Sequence, residues 1–211
     1  MLTAITVLSF FAGHTLVKPG RKWILGLYLF GLTGILTFFK VYSGGKYLPA
    51  GMSFYLFQIA AYLIDISRLK YLPEKRMLDY ANQITMFPKL LSGPLMDPRT
   101  LKMQDKFCSP LKTDIYEGLE KFMIANRLSG LWVQAASVGY ESISTPFAWM
   151  TIVAYAMRLY FDFYGYSLMA MGIGKMLGYD LPENFLDPYA SKSVSEFYRR
   201  WHATLGAWFR E

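Results

Sequence analysis

Charged side chains are excluded from three long stretches of this 211-residue chain. Met1–Val17 and Trp23–Phe39 hold no Asp, Glu, Lys or Arg, and in Tyr47–Ile64 the one strongly polar side chain is Gln58. About 20 apolar residues in helical form cross the hydrocarbon core of a bilayer. Only helices and closed barrels satisfy their own backbone there. Hydrophobic residues are 54% of the chain and aromatic residues 18%, yet mean hydropathy is only +0.22, because the charges are gathered between the apolar runs. The expected fold is all-α, a polytopic transmembrane helical bundle with re-entrant or interfacial helices. Its 211 residues are expected to form a single membrane-embedded domain.

Punctuation places the elements. A first helix is expected over about Leu2–Val17, a turn at Lys18–Lys22, and a second helix over Trp23–Lys40, broken by Tyr42-Ser43-Gly44-Gly45. Pro49 suits the first turn of a third helix ending near Ser67. Asp114 and Glu117 mark the start of a helix that continues over Gly118–Val138. Thr145-Pro146 opens another, reaching Met176, with Gly165 and Gly172 as points where it bends. Ser193 and Glu196 form a capping-box pattern for a last helix. Both termini fall inside helical patterns, so a fragment of a longer chain is expected. No charged n-region or cleavage motif follows Met1, which argues against a secretory signal peptide.

Residues 68–117 differ from the rest, with nine of the 22 basic residues and five of the ten prolines. Within them Phe87-Pro88-Lys89-Leu90-Leu91-Ser92-Gly93-Pro94 cannot form a plain spanning helix. It reads either as a re-entrant or interfacial element or as a surface loop.

The net charge of +7 has a topological explanation. If residues 18–22, 68–117 and 173–211 share one side, that side carries 17 of the 22 basic residues and is expected to be cytoplasmic. The basic residues are not interleaved with any nucleic-acid module, so nucleic acid is not an expected partner. The lone Cys108 excludes an internal disulfide. A Gly-rich phosphate loop, paired-Cys metal spacing and a GxSxG turn are all missing, and no metal site is expected.

Two constellations hold ionisable groups among apolar ones. In the last helix Val194, Phe197, Trp201, Leu205 and Trp208 recur at three- and four-residue spacing, with Arg199 and Arg200 off that stripe and His202 beside it. An amphipathic helix on the membrane surface accounts for this pattern, with His202 bonded to a backbone carbonyl. So does a site built around an imidazole that can meet a hydroxyl proton near neutral pH. In the second constellation, Arg158 and Asp162 are four apart and are expected to pair on one helix face. Tyr166 and Ser167 follow as hydrogen-bond donors inside a tunnel. His14 reads as a packed or interfacial residue.

The order of several segments carries more information. These are Leu48-Pro49-Ala50-Gly51-Met52-Ser53-Phe54, Tyr62–Asp65, Phe87–Pro94, Tyr160-Phe161-Asp162-Phe163 with Gly165-Tyr166-Ser167, Pro182-Glu183-Asn184-Phe185, Pro188-Tyr189, Glu196–His202 and Trp208-Phe209-Arg210. Together they resemble the membrane-bound O-acyltransferase family, and within it the branch that acylates bacterial polysaccharides (alginate O-acetylation and teichoic acid D-alanylation). The likeness covers about Leu48–Arg210, weakly over residues 100–145. This chain departs from the family pattern with Tyr198 for Trp, Arg158 for Gln and Leu168 for Asp.

The resemblance implies transfer of an acyl group, acetyl in the first instance, to a hydroxyl of an extracytoplasmic polysaccharide. It implies a multi-pass protein of the bacterial cytoplasmic membrane, in contact with membrane lipid. It implies no bound cofactor, acetyl-CoA or an acylated carrier as acyl donor, and an acyl-carrier or a periplasmic or extracellular acylation partner. His202 is the implied catalytic residue, with Arg199, Arg200, Trp201, Arg158, Asp162, Tyr166 and Ser167 as substrate-binding or structural support. A second family histidine lies downstream in an apolar helix; His14 precedes the matching region and cannot stand for it. Two other readings stay open: D-alanyl transfer to teichoic acid, and a non-catalytic membrane scaffold or export component.

Overall fold

The computed structural model describes residues 2–18, 22–42, 51–86 and 112–210. Among these residues all regular structure is helical, as the charge distribution requires. The predicted element at Phe87–Pro94, the helix start at Pro49 and the break at Ser43–Gly45 lie outside the described residues. The chain divides into two compact units, Met1–Leu91 and Ser92–Glu211.

The first unit holds α1 (Leu2–Leu16), α2 (Lys22–Thr37), α3 (Met52–Ser67) and α4 (Met77–Thr85). α2 continues into a π-helical stretch, Phe38–Tyr42. The joined segment Trp23–Tyr42 is, among the described residues, the one helix long and apolar enough to cross a membrane by length and composition. α1 and α3 are apolar but shorter. α3 presents Met52, Tyr55, Leu56, Ile59, Leu63 and Ile66 to the core, all nearly inaccessible, at the three- and four-residue spacing of one helix face.

Hydroxyls tie this core together. Thr6 Oγ1 lies 2.6 Å from Tyr55 Oη, Tyr55 Oη donates to Leu2 O at 2.7 Å, and Tyr80 Oη donates to Ser9 Oγ at 2.7 Å. Buried hydroxyls need such partners, since an unpaired one loses its hydration without return. Tyr80 belongs to α4, a helix absent from the sequence reading. Its nine residues are too few for a clear periodic signal, and tertiary burial of Tyr80 and Ile84 supplies what local propensity does not.

The second unit is built on a helical hairpin, α5 (Lys112–Val138) and α6 (Thr145–Met176), joined by a short connection with a 3-10 turn at Tyr140–Ser142. α6 has the bounds the sequence predicts, and α5 begins two residues before Asp114. α6 is continuous through Gly165 and Gly172, read from the sequence as bending points, and both are points of close contact. A Cβ on Gly118 would meet Gly165 O at 2.7 Å, and one on Gly165 would meet Gly118 O at 2.6 Å. The two backbones touch there, as small residues allow between helices. Near the same end Lys175 Nζ pairs with Asp114 Oδ2 at 2.5 Å.

α6 stops in a Schellman motif. Gly178 takes φ 80°, Tyr179 N donates to Gly174 O at 2.8 Å, and Gly178 N donates to Lys175 O at 3.1 Å. Leu181, Asn184 and Phe185 of the following segment are buried, and Phe185 packs its ring against Phe163 and Tyr164 of α6. A 3-10 turn at Pro188–Ala190 leads to α7 (Val194–Arg200) and α8 (Ala203–Arg210).

The glycine contact gives a paired expectation. Gly165→Ala should destabilise the purified protein by about 1–3 kcal/mol, because backbone rather than a flexible side chain blocks the new methyl. Gly130→Ala, in the same hairpin with nothing within 4 Å, should be neutral or stabilising by up to about 1 kcal/mol. Thermal unfolding in detergent separates the two; equal shifts would show that α5 and α6 are not held at backbone contact.

Candidate functional site

The last helix of the sequence reading is two helices. The predicted cap is present: Ser193 Oγ accepts from Glu196 N at 3.1 Å. Glu196 Oε2 in turn accepts from Lys192 N at 2.9 Å, one residue earlier than in a standard capping box. The helix then ends at Arg200. Trp201 is extended (φ −82°, ψ 124°), and His202 is left-handed at φ 45°.

The expected single apolar stripe is therefore interrupted, and the reason lies in the segment before α7. Leu186 N donates to Arg200 O at 3.1 Å, and Ala203 N donates to Asn184 O at 2.9 Å. Backbone groups freed by the break thus find partners outside the helix, which removes the main objection to breaking it. Trp201 gains a stacked contact with Phe197 (5.5 Å, 19°) and an edge contact with Phe185 (5.2 Å, 89°).

The imidazole of His202 is half-buried at this joint. Its Nδ1 lies 2.7 Å from Asn184 Oδ1, not at a backbone carbonyl. Phe163 of α6 meets the ring edge-on at 4.8 Å. Asn184 is 1% exposed, and its Oδ1 also accepts from Thr204 Oγ1 at 2.8 Å. Burial pushes the His202 pKa down from 6.5 to about 4, so the ring is neutral at physiological pH.

The other residues singled out from the sequence divide into two groups. Trp201 packs beside His202, within a ring cluster that includes Tyr160 and Tyr189. Arg200 is a structural cation: its Nη2 meets Glu196 Oε1 at 2.7 Å and its Nη1 donates to Leu186 O at 3.3 Å. The bond from Lys192 N, joined by the charges of Arg200 and Arg199, holds the Glu196 carboxyl below its usual range. Arg199 is exposed and makes no ion pair among the described residues.

Arg158 and Asp162 do not pair. Helical spacing puts them on one face, but Asp162 is exposed and Arg158 half-buried, and no ion pair joins them. Two groups that keep access to solvent gain little from pairing. Tyr166 is half-buried. Ser167 is 1% exposed, and its hydroxyl has no hydrogen-bond partner among the described residues. On the same helix Thr151 Oγ1 instead bonds the carbonyl of Phe147 at 2.8 Å. His14 bonds the carbonyl of Phe10 through Nδ1 at 3.0 Å, as a packed helical residue does.

The sequence reading missed Asn184, Thr204 and Phe163 as parts of the His202 environment. Asn184 was visible only as one letter of Pro182-Glu183-Asn184-Phe185, a segment with no periodicity to say which side chain turns inward. Among the described residues no three His, Cys, Asp or Glu side chains converge as a metal site.

Comparison with known proteins places this geometry. The model of the membrane-bound O-acyltransferase family, MBOAT, matches residues 20–211. The chain is similar to "Probable alginate O-acetylase AlgI" of Pseudomonas fluorescens, with 32% identity over 240 residues, covering 100% of this chain and 46% of the relative. It is 37% identical over 172 residues to the protein of the same name from Pseudomonas aeruginosa, covering 78% of this chain and 33% of the relative. It is 30% identical over 152 residues to the teichoic acid D-alanyltransferase of Bacillus subtilis, covering 66% of this chain and 37% of the relative. The chain thus spans less than half the length of these relatives.

The lowered pKa of His202 makes a prediction with a definite sign. Between about 4 and 6.5 the unfolded chain binds a proton at His202 that the folded chain does not. Stability from this group is therefore full above pH 6.5, falls as pH drops through the window, and is lost below about 4. A His202→Gln variant should lose less stability than the parent between pH 7 and pH 4. Parallel melting curves across that range would show that His202 titrates normally.

Proposed function

The chain belongs to the membrane-bound O-acyltransferase family, and from that premise we propose that it forms the central part of an enzyme that moves an acetyl group onto a hydroxyl of an extracytoplasmic polysaccharide. Both of its compact units are read as parts of one membrane-embedded, multi-pass domain in the bacterial cytoplasmic membrane. The donor is a thioester, acetyl-CoA or an acylated carrier, presented from the basic, cytoplasmic side. The hydroxyl oxygen attacks the thioester carbonyl, the new C–O bond replaces the C–S bond, and the hydroxyl proton ends on the departing thiolate.

The observation that carries this reading is the neutral imidazole of His202, held by a buried amide within the family-matched segment. A hydroxyl is a poor nucleophile until its proton is engaged. At a pKa near 4 the imidazole is a weak base but a good hydrogen-bond acceptor, since efficient proton transfer calls for a pKa near the working pH. His202 therefore orients the hydroxyl, and the stronger base is the family's second histidine. Ser167, whose buried hydroxyl has no partner among the described residues, suits a polar substrate atom. Tyr166, one residue earlier on α6, supports that helix, and Trp201 shapes the site. Arg199, exposed and in no ion pair among the described residues, meets the phosphate of a carrier or a lipid headgroup.

Acetyl is placed first because the alginate O-acetylases are 32–37% identical to this chain and the teichoic acid D-alanyltransferases 28–30%. A peptidoglycan O-acetyltransferase from Helicobacter pylori is also similar, at 32% identity over 202 residues.

In the full-length protein His202→Ala should reduce transfer of labelled acetyl groups into surface polysaccharide by roughly 10²-fold, the scale of a lost positioning contact. Membrane insertion and protein level should be unchanged. Undiminished labelling in the variant would remove His202 from the site. Labelling of teichoic acid by D-alanine instead of acetyl incorporation would transfer the reading to the other acyl group.

A further inference from the structure

Asn184 is connected to His202 by more than one bond. Its Oδ1 lies 2.7 Å from His202 Nδ1 and accepts from Thr204 Oγ1 at 2.8 Å, which engages both lone pairs of an amide oxygen, while its buried Nδ2 has no partner among the described residues. Its backbone O accepts from Ala203 N at 2.9 Å, so the same residue holds the chain immediately after His202. At 1% exposure its side chain has no water to exchange with. Phe163 lies edge-on against the imidazole and closes a second side.

An oxygen that only accepts fixes where the ring proton must be. We propose that Asn184 is a positioning residue for the acyl transfer: its side-chain oxygen, anchored by Thr204, locks His202 as the Nδ1–H tautomer and leaves the Nε2 lone pair to meet the acceptor hydroxyl. This rests on the reading of the chain as an O-acyltransferase with His202 in its site. It adds a cause for the orientation of His202 that the sequence does not contain.

A neutral imidazole free in water carries its proton on either nitrogen, so an unassisted His202 would present the wrong atom part of the time. The ionisable groups on the surrounding elements include Arg158, Tyr160, Asp162, Tyr164 and Tyr166 on α6, Glu183, Asp187 and Tyr189 in the returning segment, Glu196, Tyr198, Arg199 and Arg200 on α7, and Arg210 on α8. None of them bonds the imidazole among the described residues; Asn184 is its hydrogen-bond partner.

The test uses the full-length protein in detergent or nanodiscs with ¹⁵N-labelled histidine, the His202 signals being assigned by their loss in His202→Gln. The parent should show the Nδ1–H tautomer at pH 7. Asn184→Leu should shift His202 toward Nε2–H and lower kcat at least tenfold, with KM for the donor within about twofold, a split that a loosened fold would not give. Asn184→Asp keeps an acceptor and adds charge. It should keep the tautomer, raise the His202 pKa and move the acid limb of the pH–rate profile upward. If Asn184→Asp does not fold, Thr204→Val tests the anchor alone and should give a partial tautomer shift.

An Nε2–H tautomer in the parent overturns the proposal. So does a tautomer shift in Asn184→Leu with no change in kcat. If the tautomer behaves as expected but His202→Ala still transfers acetyl at the parent rate, the placement of His202 in the site is what fails.

Discussion

A helix broken beneath an apolar surface must rehouse the backbone groups it frees, and the segment 181–187 does this for the joint between α7 and α8. Asn184 O takes the N–H of Ala203, and Leu186 N–H takes the carbonyl of Arg200. Without those two bonds the continuous helix would be the better arrangement, since it satisfies the same groups internally. With them, Trp201 turns toward Phe185 and His202 can adopt a left-handed backbone that costs a non-glycine residue about 1–2 kcal/mol. Backbone strain of this kind concentrates at functional sites. Here its visible result is an imidazole lodged between α6 and a buried amide.

The same joint divides two adjacent arginines. Arg200 closes onto Glu196 one turn back and onto the carbonyl of Leu186, so it braces the helix to the returning segment. Glu196 is already committed to Lys192 N–H through its other oxygen. Arg199, one residue away, is exposed and makes no ion pair among the described residues, though its charge still acts on Glu196. A pair that looks equivalent in the sequence therefore differs in its bonding, which composition and spacing cannot separate.

Much of the helical frame was legible because it depends on local signals. Thr145-Pro146 opened α6 where expected, Leu2 began α1, and the Ser193–Glu196 pattern capped α7. Features set by tertiary contact were not legible. A glycine in a helix does not show from the sequence that another backbone comes close, and only the backbone of α5 facing Gly165 reveals it. Spacing put Arg158 and Asp162 within reach, yet pairing also needs exclusion of solvent, which Asp162 does not have. The break at Trp201-His202 was hidden because its cause lies eighteen residues earlier, at Asn184, in a stretch whose residue pattern has no period. His202 stood out as a lone imidazole among aromatic residues, and its role was implied by the family likeness, but its partner Asn184 was not legible.

Charge and proton placement at His202 have separate physical origins. A neutral amide oxygen accepts the Nδ1 hydrogen from either the neutral or the charged ring, more strongly from the charged one, and burial outweighs that preference. Burial thus makes the choice between those two states, by raising the free energy of the imidazolium. The amide makes a different one, between the two neutral forms, which burial hardly distinguishes. A weakly basic, neutral ring with a defined free nitrogen needs both. An environment that is dry but lacks an acceptor would leave the tautomer unset. One with a carboxylate in place of Asn184 would set the tautomer and also stabilise the cation. The combination found here, a half-buried ring beside an uncharged acceptor, holds the imidazole neutral with Nδ1 engaged.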